Sequence, residues 1–398
     1  MPRKTSSPIA VVMGLSPTGL HVVRTLGQSG VQVIGISDGF QPGNVSRYLK
    51  RHISVSRSED KLAALLEIAP ERQRGDADRP VLIPTSDQDI DLVMSNSVIL
   101  AQRYNFQASY SDGIAAKILD KDSFYVLCSA YGIKYPGLWT SDLRGLRAVL
   151  EAAALPCIIK PSRIHDIKDQ MQGKKGWTIL DRAQVDTVIA TIPEACGTLI
   201  VQEIVPGPES AISLACAHID VQGEARQVFT ARKLRQYPPG FGSASLVQSG
   251  PEPEAAERMQ HFLKAVGYKG IAAAEFKRHP DTGQLYIIEV NVRPSLWFSL
   301  TEAAGRPVVR SLYEELGRQP SVPEAGEQLD GVRWRYWIKD LWSGLFYRRN
   351  PDYFLGAPDT GALGAPTKRI LAVFSMKDPL PGFAELLNFL VKLVGRSR

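Results

Sequence analysis

The chain has 398 residues, 44% of them hydrophobic and 22% charged, with a formal net charge of +6. This length and balance suit a globular α/β protein of two or three domains with ample core, and no run of about 18 apolar residues is present to span a bilayer. Cys128, Cys157, Cys196 and Cys216 lack CxxC spacing and a paired histidine pattern, which excludes a zinc site and a disulfide framework and fits a reducing, cytoplasmic setting.

The start, "MPRKTSSPIAVVMG", is basic, but its apolar run is short and meets a glycine turn, so it reads as a first strand and not as a leader peptide. "IAVVMG" (9–14), "VQVIGISD" (31–38), "HISVS" (52–56) and "VLIPTSD" (81–87) read as strands, with helices at 18–30 and about 58–69. Strand–helix–strand alternation predicts a mainly parallel sheet. "GLSPTG" (14–19) lacks the middle glycine of GxGxxG and the Lys-Ser/Thr ending of a P-loop, which favours a tight strand-to-helix turn over a nucleotide loop.

From about residue 113 the pattern changes. "AAKILDKDSFYVLCSAYG" (115–132) predicts one amphipathic helix closed by Gly132, followed by a helix near 141–154 and the strand "PCIIKPS" (156–162). The polar, glycine-bearing stretch 163–177 reads as a mobile loop. "GTLIVQEIVPGPESAISLACAHID" (197–220) gives two strands around a Pro-Gly break, and 224–245 a strand running into a basic loop. Residues 253–267 read as a helix and 270–292 as a hairpin turning at "PDTG".

The hairpin carries the functional signal. In "YIIEVNVRPS" (286–295), Ile288, Val290 and Val292 alternate as buried positions, which sets Glu289, Asn291 and Arg293 on the other face. Folding about "PDTG" brings Glu275 of "AAAEFK" close to Glu289. Two facing carboxylates repel unless a cation lies between them. Glu275, Glu289 and Asn291 all offer oxygen, which magnesium prefers, usually with phosphate and water completing its shell. Arg293 then reads as a positive centre for a phosphoryl group or oxyanion. A charged outer sheet surface is the plainer alternative, but the flanking residues are too apolar for one. Lys160, ending an apolar strand, and Lys121, opening a helix, each read singly as surface lysines; beside a metal site they suit a triphosphate.

In this order, "DKDSFY" (120–125), "CIIKPS", "IVQEIVPG", "AAAEFK" and "IIEVNVRPS" resemble the ATP-grasp superfamily, and within it the carboxylate–amine ligases related to D-aspartate ligase and carbamoyl-phosphate synthase. The resemblance covers about 113–300 and, more loosely, 8–112. It implies an ATP-grasp fold of two α+β lobes clasping ATP after a Rossmann-like parallel domain. The boundaries it suggests are 1–112 for the preceding domain, 113–196 for the small lobe, 197–325 for the large lobe and 326–398 for a C-terminal extension. It implies that Lys121 and Lys160 contact ATP phosphates and that Gln202, Glu203 and Val205 border the adenine slot. Glu209 would hold ribose, with Ser210 as the other register, and Lys174 and Lys175 would reach the phosphates from the closing loop. Glu275, Glu289 and Asn291 would hold Mg²⁺ or Mn²⁺, and Arg293 would stabilise the reacting phosphate.

"ARKLRQYPPGFGSAS" (231–245) is the candidate for the carboxylate substrate, with strict alternation placing Lys233 and Arg235 on one face and Arg232 on the other. An exposed basic turn is its plainer reading. The implied reaction is amide formation through an acyl phosphate, with an amino acid as one substrate. A bicarbonate-using, carboxyphosphate-forming enzyme and an inactive nucleotide-binding module are the rival readings. Nucleic acid is not an expected partner, because the basic residues lack interleaved aromatics. In the tail, "VRWRYWIKDLWSGLFYRR" (332–349) and "PGFAELLNFLVKLVGRSR" (381–398) mix apolar and basic residues, suiting packing on the body, a homodimer contact or a peripheral membrane contact.

Overall fold

The computed structural model describes residues 7–69, 79–162, 176–318 and 326–395. Its strands form three sheets. The first is wholly parallel, in the order β3-β2-β1-β4, from β1 (Ala10–Met13), β2 (Val33–Asp38), β3 (Leu49–Val55) and β4 (Val81–Pro84). Every residue of β1 is apolar and buried, as expected of a central strand covered on both faces. Gly14 follows it at φ +78°, where a Cβ would stand 2.8 Å from Thr85 Oγ1, and a Cβ on Gly19 would overlap the Gly14 carbonyl. "GLSPTG" is thus a close turn into helix Pro17–Gln28.

The second sheet is antiparallel, order β5-β8-β6-β7, from β5 (Leu138–Ser141), β6 (Cys157–Pro161), β7 (Trp177–Ile179) and β8 (Leu199–Glu203). It has its own core, in which Cys157, Ile159, Leu199 and Val201 meet Leu146 and Leu150 of helix Leu146–Ala152. The expected single helix over 115–132 is instead two, Ile114–Leu119 and Lys121–Ala130. Asp120 separates them because its carboxylate accepts the Ser123 N–H and caps the second helix.

The third sheet has seven strands in the order β13-β12-β9-β10-β11-β14-β15. These are β9 (Ile212–Ile219), β10 (Ala225–Tyr237), β11 (Ser243–Ser249), β12 (Gly270–Arg278), β13 (Leu285–Asn291), β14 (Val332–Arg335) and β15 (Lys368–Leu371). One face packs Ala215, Ala217, Ala272 and Ala274 against Met259 and Phe262 of helix Pro253–Ala265. The other packs Leu214, Cys216, Phe229, Ala273 and Trp334 against Trp297 and Leu312. The C-terminal region therefore extends the large sheet by two strands. Asp378 fastens it to the first domain: 1% exposed on its side chain, it accepts from Arg24 Nε at 2.9 Å, Ser46 Oγ at 2.7 Å and the Arg47 N–H at 3.0 Å.

Candidate active site

A cavity of about 720 Å³ lies where the three sheets converge. Its floor is the end of the sheet face whose deeper part is apolar core. In register, Ile212 of β9 lies beside Lys233 of β10 and Lys277 of β12. Residues in register share a face, so two lysines flank one isoleucine, with Glu275 two positions from Lys277. Lys233 and Lys277 are buried and both line the cavity. Lys233 forms an ion pair with Glu275, and its ammonium also approaches Gln236 Oε1 at 3.4 Å. Burial, and then the neighbouring Lys233 charge, push the Lys277 ammonium down to about 8 against an opposing pull from Glu209.

Glu275 and Glu289 are direct partners across β12 and β13. The pairing resumes at Phe276 with Ile287, so Ile288 is the extra residue of a bulge. The expected burial of Ile288 is corrected by this bulge: Ile287 takes the core position, and Ile288 lines the cavity. Asn291 donates from Nδ2 to Glu289 Oε1 at 3.0 Å, an orientation that keeps its amide oxygen available as a ligand. Arg293 donates from Nε to Asp87 Oδ1 at 2.8 Å and from NH1 to the Pro294 carbonyl at 3.2 Å. Asp87 opens helix Asp87–Ser95, so this pair joins the first domain to the large sheet at the cavity wall.

The small sheet supplies another wall. Lys160 on β6 donates to Gln202 Oε1 at 3.3 Å, and Gln202 donates from Nε2 to Tyr125 Oη at 2.8 Å. Glu203 accepts the Gly137 N–H at 2.9 Å, and Ile158, Glu203, Ile204 and Val205 continue the lining. Lys121 is absent from that lining. Burial lowers its ammonium's pKa, and the Glu289 carboxylate raises it.

Two expected site residues are turned elsewhere. Glu209 is 1% exposed, accepts the backbone N–H groups of Gln236 at 2.9 Å and Gly240 at 2.6 Å, and so pins the 236–240 loop instead of lining the cavity. Ser210, the other register, accepts the Asp359 N–H at 2.9 Å. Arg235 pairs with Asp340 at 2.7 Å, on the face away from Lys233. The cause is a second bulge: Lys233 pairs with Val247 and Arg235 with Leu246, so Leu234 is extra and the alternation breaks. Arg232 is held by Glu252 at 2.7 Å from Nε. Lys174, Lys175 and most of the 163–177 loop lie outside the described residues.

Sequence patterning alone misses several lining residues: Lys277, Gln236, Asp87, Tyr336 and Lys339. Lys277 has a signal, its two-residue spacing from Glu275. The others come from distant segments. Tyr336 and Lys339 flank the start of helix Trp337–Arg349, with the Lys339 ammonium 4.4 Å from the Tyr336 ring centre.

Among the described residues no three His, Cys, Asp or Glu side chains gather as a metal cage. Two carboxylates and one amide fit a hard cation that brings further oxygen ligands from a phosphate and water, and do not fit a resident zinc.

No family model matches the chain. It is 24% identical over 270 residues to a D-aspartate ligase of Enterococcus faecium, a match spanning 65% of this chain and 64% of that enzyme, just under two thirds of its length. Solved structures show the same fold. An ADP complex of N5-carboxyaminoimidazole ribonucleotide synthetase superposes with a TM-score of 0.61 at 14% identity, covering 81% of this chain and 80% of that one. A biotin carboxylase from Campylobacter jejuni in a beta-gamma-ATP complex gives 0.60 at 14% identity, over 81% and 74%. A phosphoribosylglycinamide synthetase from Anaerococcus prevotii gives 0.55 at 12%, over 81% and 79%. The chain has the ATP-grasp fold, preceded by a parallel α/β domain.

Proposed function

We propose that this protein is an ATP-dependent ligase that joins a carboxylate to an amine through an acyl phosphate, with an amino acid as one substrate. The observation that carries the reading is Glu275 opposite Glu289, with Asn291 and Arg293 continuing the row, in one cavity with Lys160, Lys233 and Lys277. Facing acids bordered by several cations on a cavity wall suit a metal–triphosphate, which brings both charges at once. The likeness to a D-aspartate ligase makes an amino-acid carboxylate the first substrate to try.

In this mechanism Glu275, Glu289 and the Asn291 amide oxygen would hold magnesium, or manganese in its place, and the ion would supply neutralisation of phosphate charge. Lys160 holds the phosphate chain and Lys121, whose charge acts on Glu289, adds to the positive side of the site. Gln202, Glu203 and Val205 border the base. Lys233 and Lys277 draw the anionic substrates together on the cavity floor. A carboxylate oxygen attacks the γ-phosphorus and the bond to ADP breaks. Arg293, already fixed in direction by Asp87, faces the charge that develops on the transferred phosphoryl group. The amine nitrogen then attacks the acyl carbon, phosphate leaves with the C–O electron pair, and the proton lost from nitrogen goes to that phosphate. Positioning and charge neutralisation supply the rate, so no side-chain nucleophile is needed. Domain limits near 113, 197 and 326, and cytoplasmic residence, belong to the same proposal.

The test is ADP release screened over pairs of carboxylates and amines, D-aspartate first, with product mass confirmed. Release requiring both partners supports the ligase. Release with bicarbonate alone assigns carboxyphosphate chemistry, and nucleotide binding without turnover across the panel assigns an inactive module.

A further inference from the structure

Of the exposed large apolar side chains among the described residues, half lie between 337 and 391, so the C-terminal extension carries far more than its share of them. In helix Leu380–Gly395, Leu380, Phe383, Leu387, Leu390 and Val391 are between 48% and 63% exposed. Their spacing of three and four residues makes one stripe along the helix. The opposite side is fixed: Glu385 is buried and accepts from the Tyr336 hydroxyl, and the helix packs on the turn Pro42–Val45. Trp337, Leu341 and Trp342 of helix Trp337–Arg349 are also exposed, by 40%, 57% and 43%.

Charge separates the candidate occupants of this face. From residue 331 onward the sequence carries eleven Lys and Arg against five Asp and Glu. Three of those five acids are withdrawn from the surface: Asp340 is 0% exposed and paired with Arg235 and Arg335, Asp378 is paired with Arg24, and Glu385 is turned toward Tyr336. Arg348, Arg349 and Lys377 are exposed, and Arg47 reaches the Lys377 carbonyl at 3.5 Å beside the base of the helix. A second copy of the same cationic face would be repelled. An anionic lipid surface would be attracted, and tryptophan suits the boundary between headgroups and acyl chains. At about 1.5 Å per residue the 16-residue helix reaches about 24 Å, short of a bilayer core of about 30 Å, so it suits lying in the interface.

We propose that the C-terminal extension docks the protein on an anionic membrane, with the Leu380–Val391 stripe and the exposed tryptophans entering the interface and the exposed Arg348, Arg349 and Lys377 meeting lipid headgroups. Tyr336 and Lys339 line the cavity immediately before and within the same helix that carries Trp337 and Leu341, so docking holds the reaction site close to the lipid surface.

The test is co-sedimentation of the full chain with phosphatidylcholine vesicles, with and without phosphatidylglycerol, at low and high salt, alongside light scattering. Wild type is expected to bind the anionic vesicles at least about tenfold more tightly than the neutral ones and to lose most of that preference in high salt. Leu387→Asp and, separately, Arg348→Glu with Arg349→Glu are expected to weaken binding at least tenfold while melting at the wild-type temperature. Equal binding to both vesicles, no binding to either, or wild-type binding by both variants overturns the proposal. So does a dimer that Leu387→Asp dissociates, which would assign the face to a second copy.

Discussion

Replacing Glu289 by Gln removes one of two carboxylates that face each other across β12 and β13. Directly opposed residues have Cβ atoms about 5 Å apart, and unit charges at about 5 Å repel by about 0.8 kcal/mol in water and about 3 kcal/mol at an effective dielectric of about 20. Glu289 is exposed and Lys233 already compensates Glu275, so the lower end applies and relief of about 1 kcal/mol is expected. Gln keeps the shape and an oxygen for the Asn291 amide, and the attraction lost to the Lys121 ammonium is small between exposed side chains. The variant should melt about 2 °C higher without ligand, yet lose at least about 100-fold in turnover, about 2.7 kcal/mol of transition-state stabilisation. Thermal unfolding without nucleotide and ADP release with it give the two numbers. A variant that melts lower, or that turns over normally, would show that the pair is a structural feature and holds no metal.

The remaining predictions concern neighbours of that pair and the supports around it. Lys277, with a folded-state value of about 8, loses its charge above that pH, so KM for ATP should rise between about pH 8 and 9.5 in wild type and stay flat in Lys277→Met. The unfolded lysine still holds its proton there, so the unfolded state binds more protons and stability rises with pH across the same window. His21 is held neutral by burial, with a folded-state value of about 3. Its unfolded form takes up a proton below about 6.5, so stability should fall as pH drops from there toward 3, and His21→Gln should flatten that slope in chemical denaturation. Arg235→Met should cost about 2 kcal/mol of stability, because it strips one of two arginines from the buried Asp340, while kcat stays near wild type well below the melting point. Arg293→Lys, which keeps a charge but loses the guanidinium fork held by Asp87, should lower kcat about 100-fold with little change in KM for ATP.

Local patterning makes the hairpin legible. "PDTG" with apolar flanks sets where the chain turns, and the turn sets which residues of the two strands meet, so the approach of Glu275 to Glu289 follows from local pattern alone. The bulges are not legible. An extra residue at Leu234 or Ile288 depends on what the partner strand presents, and period-two counting therefore carries Arg235 to the cavity face and Ile288 to the core. Glu209 misleads for a related reason: a carboxylate after a Pro-Gly break looks free in sequence, while its partners are backbone N–H groups about thirty residues onward. Asp87, Tyr336 and Lys339 belong to segments far apart in the chain, where no local rule applies. The four-residue strands β14 and β15 are too short to show alternation, so in sequence the extension looks separate from the sheet it completes.

The most direct test of the central claim supplies the carboxylate partner labelled with oxygen-18 and follows the phosphate released during amide formation. Passage through an acyl phosphate places one labelled oxygen in that phosphate, and a wild-type turnover is expected to show it by mass or phosphorus resonance. Phosphate that emerges without label while amide accumulates would contradict the account.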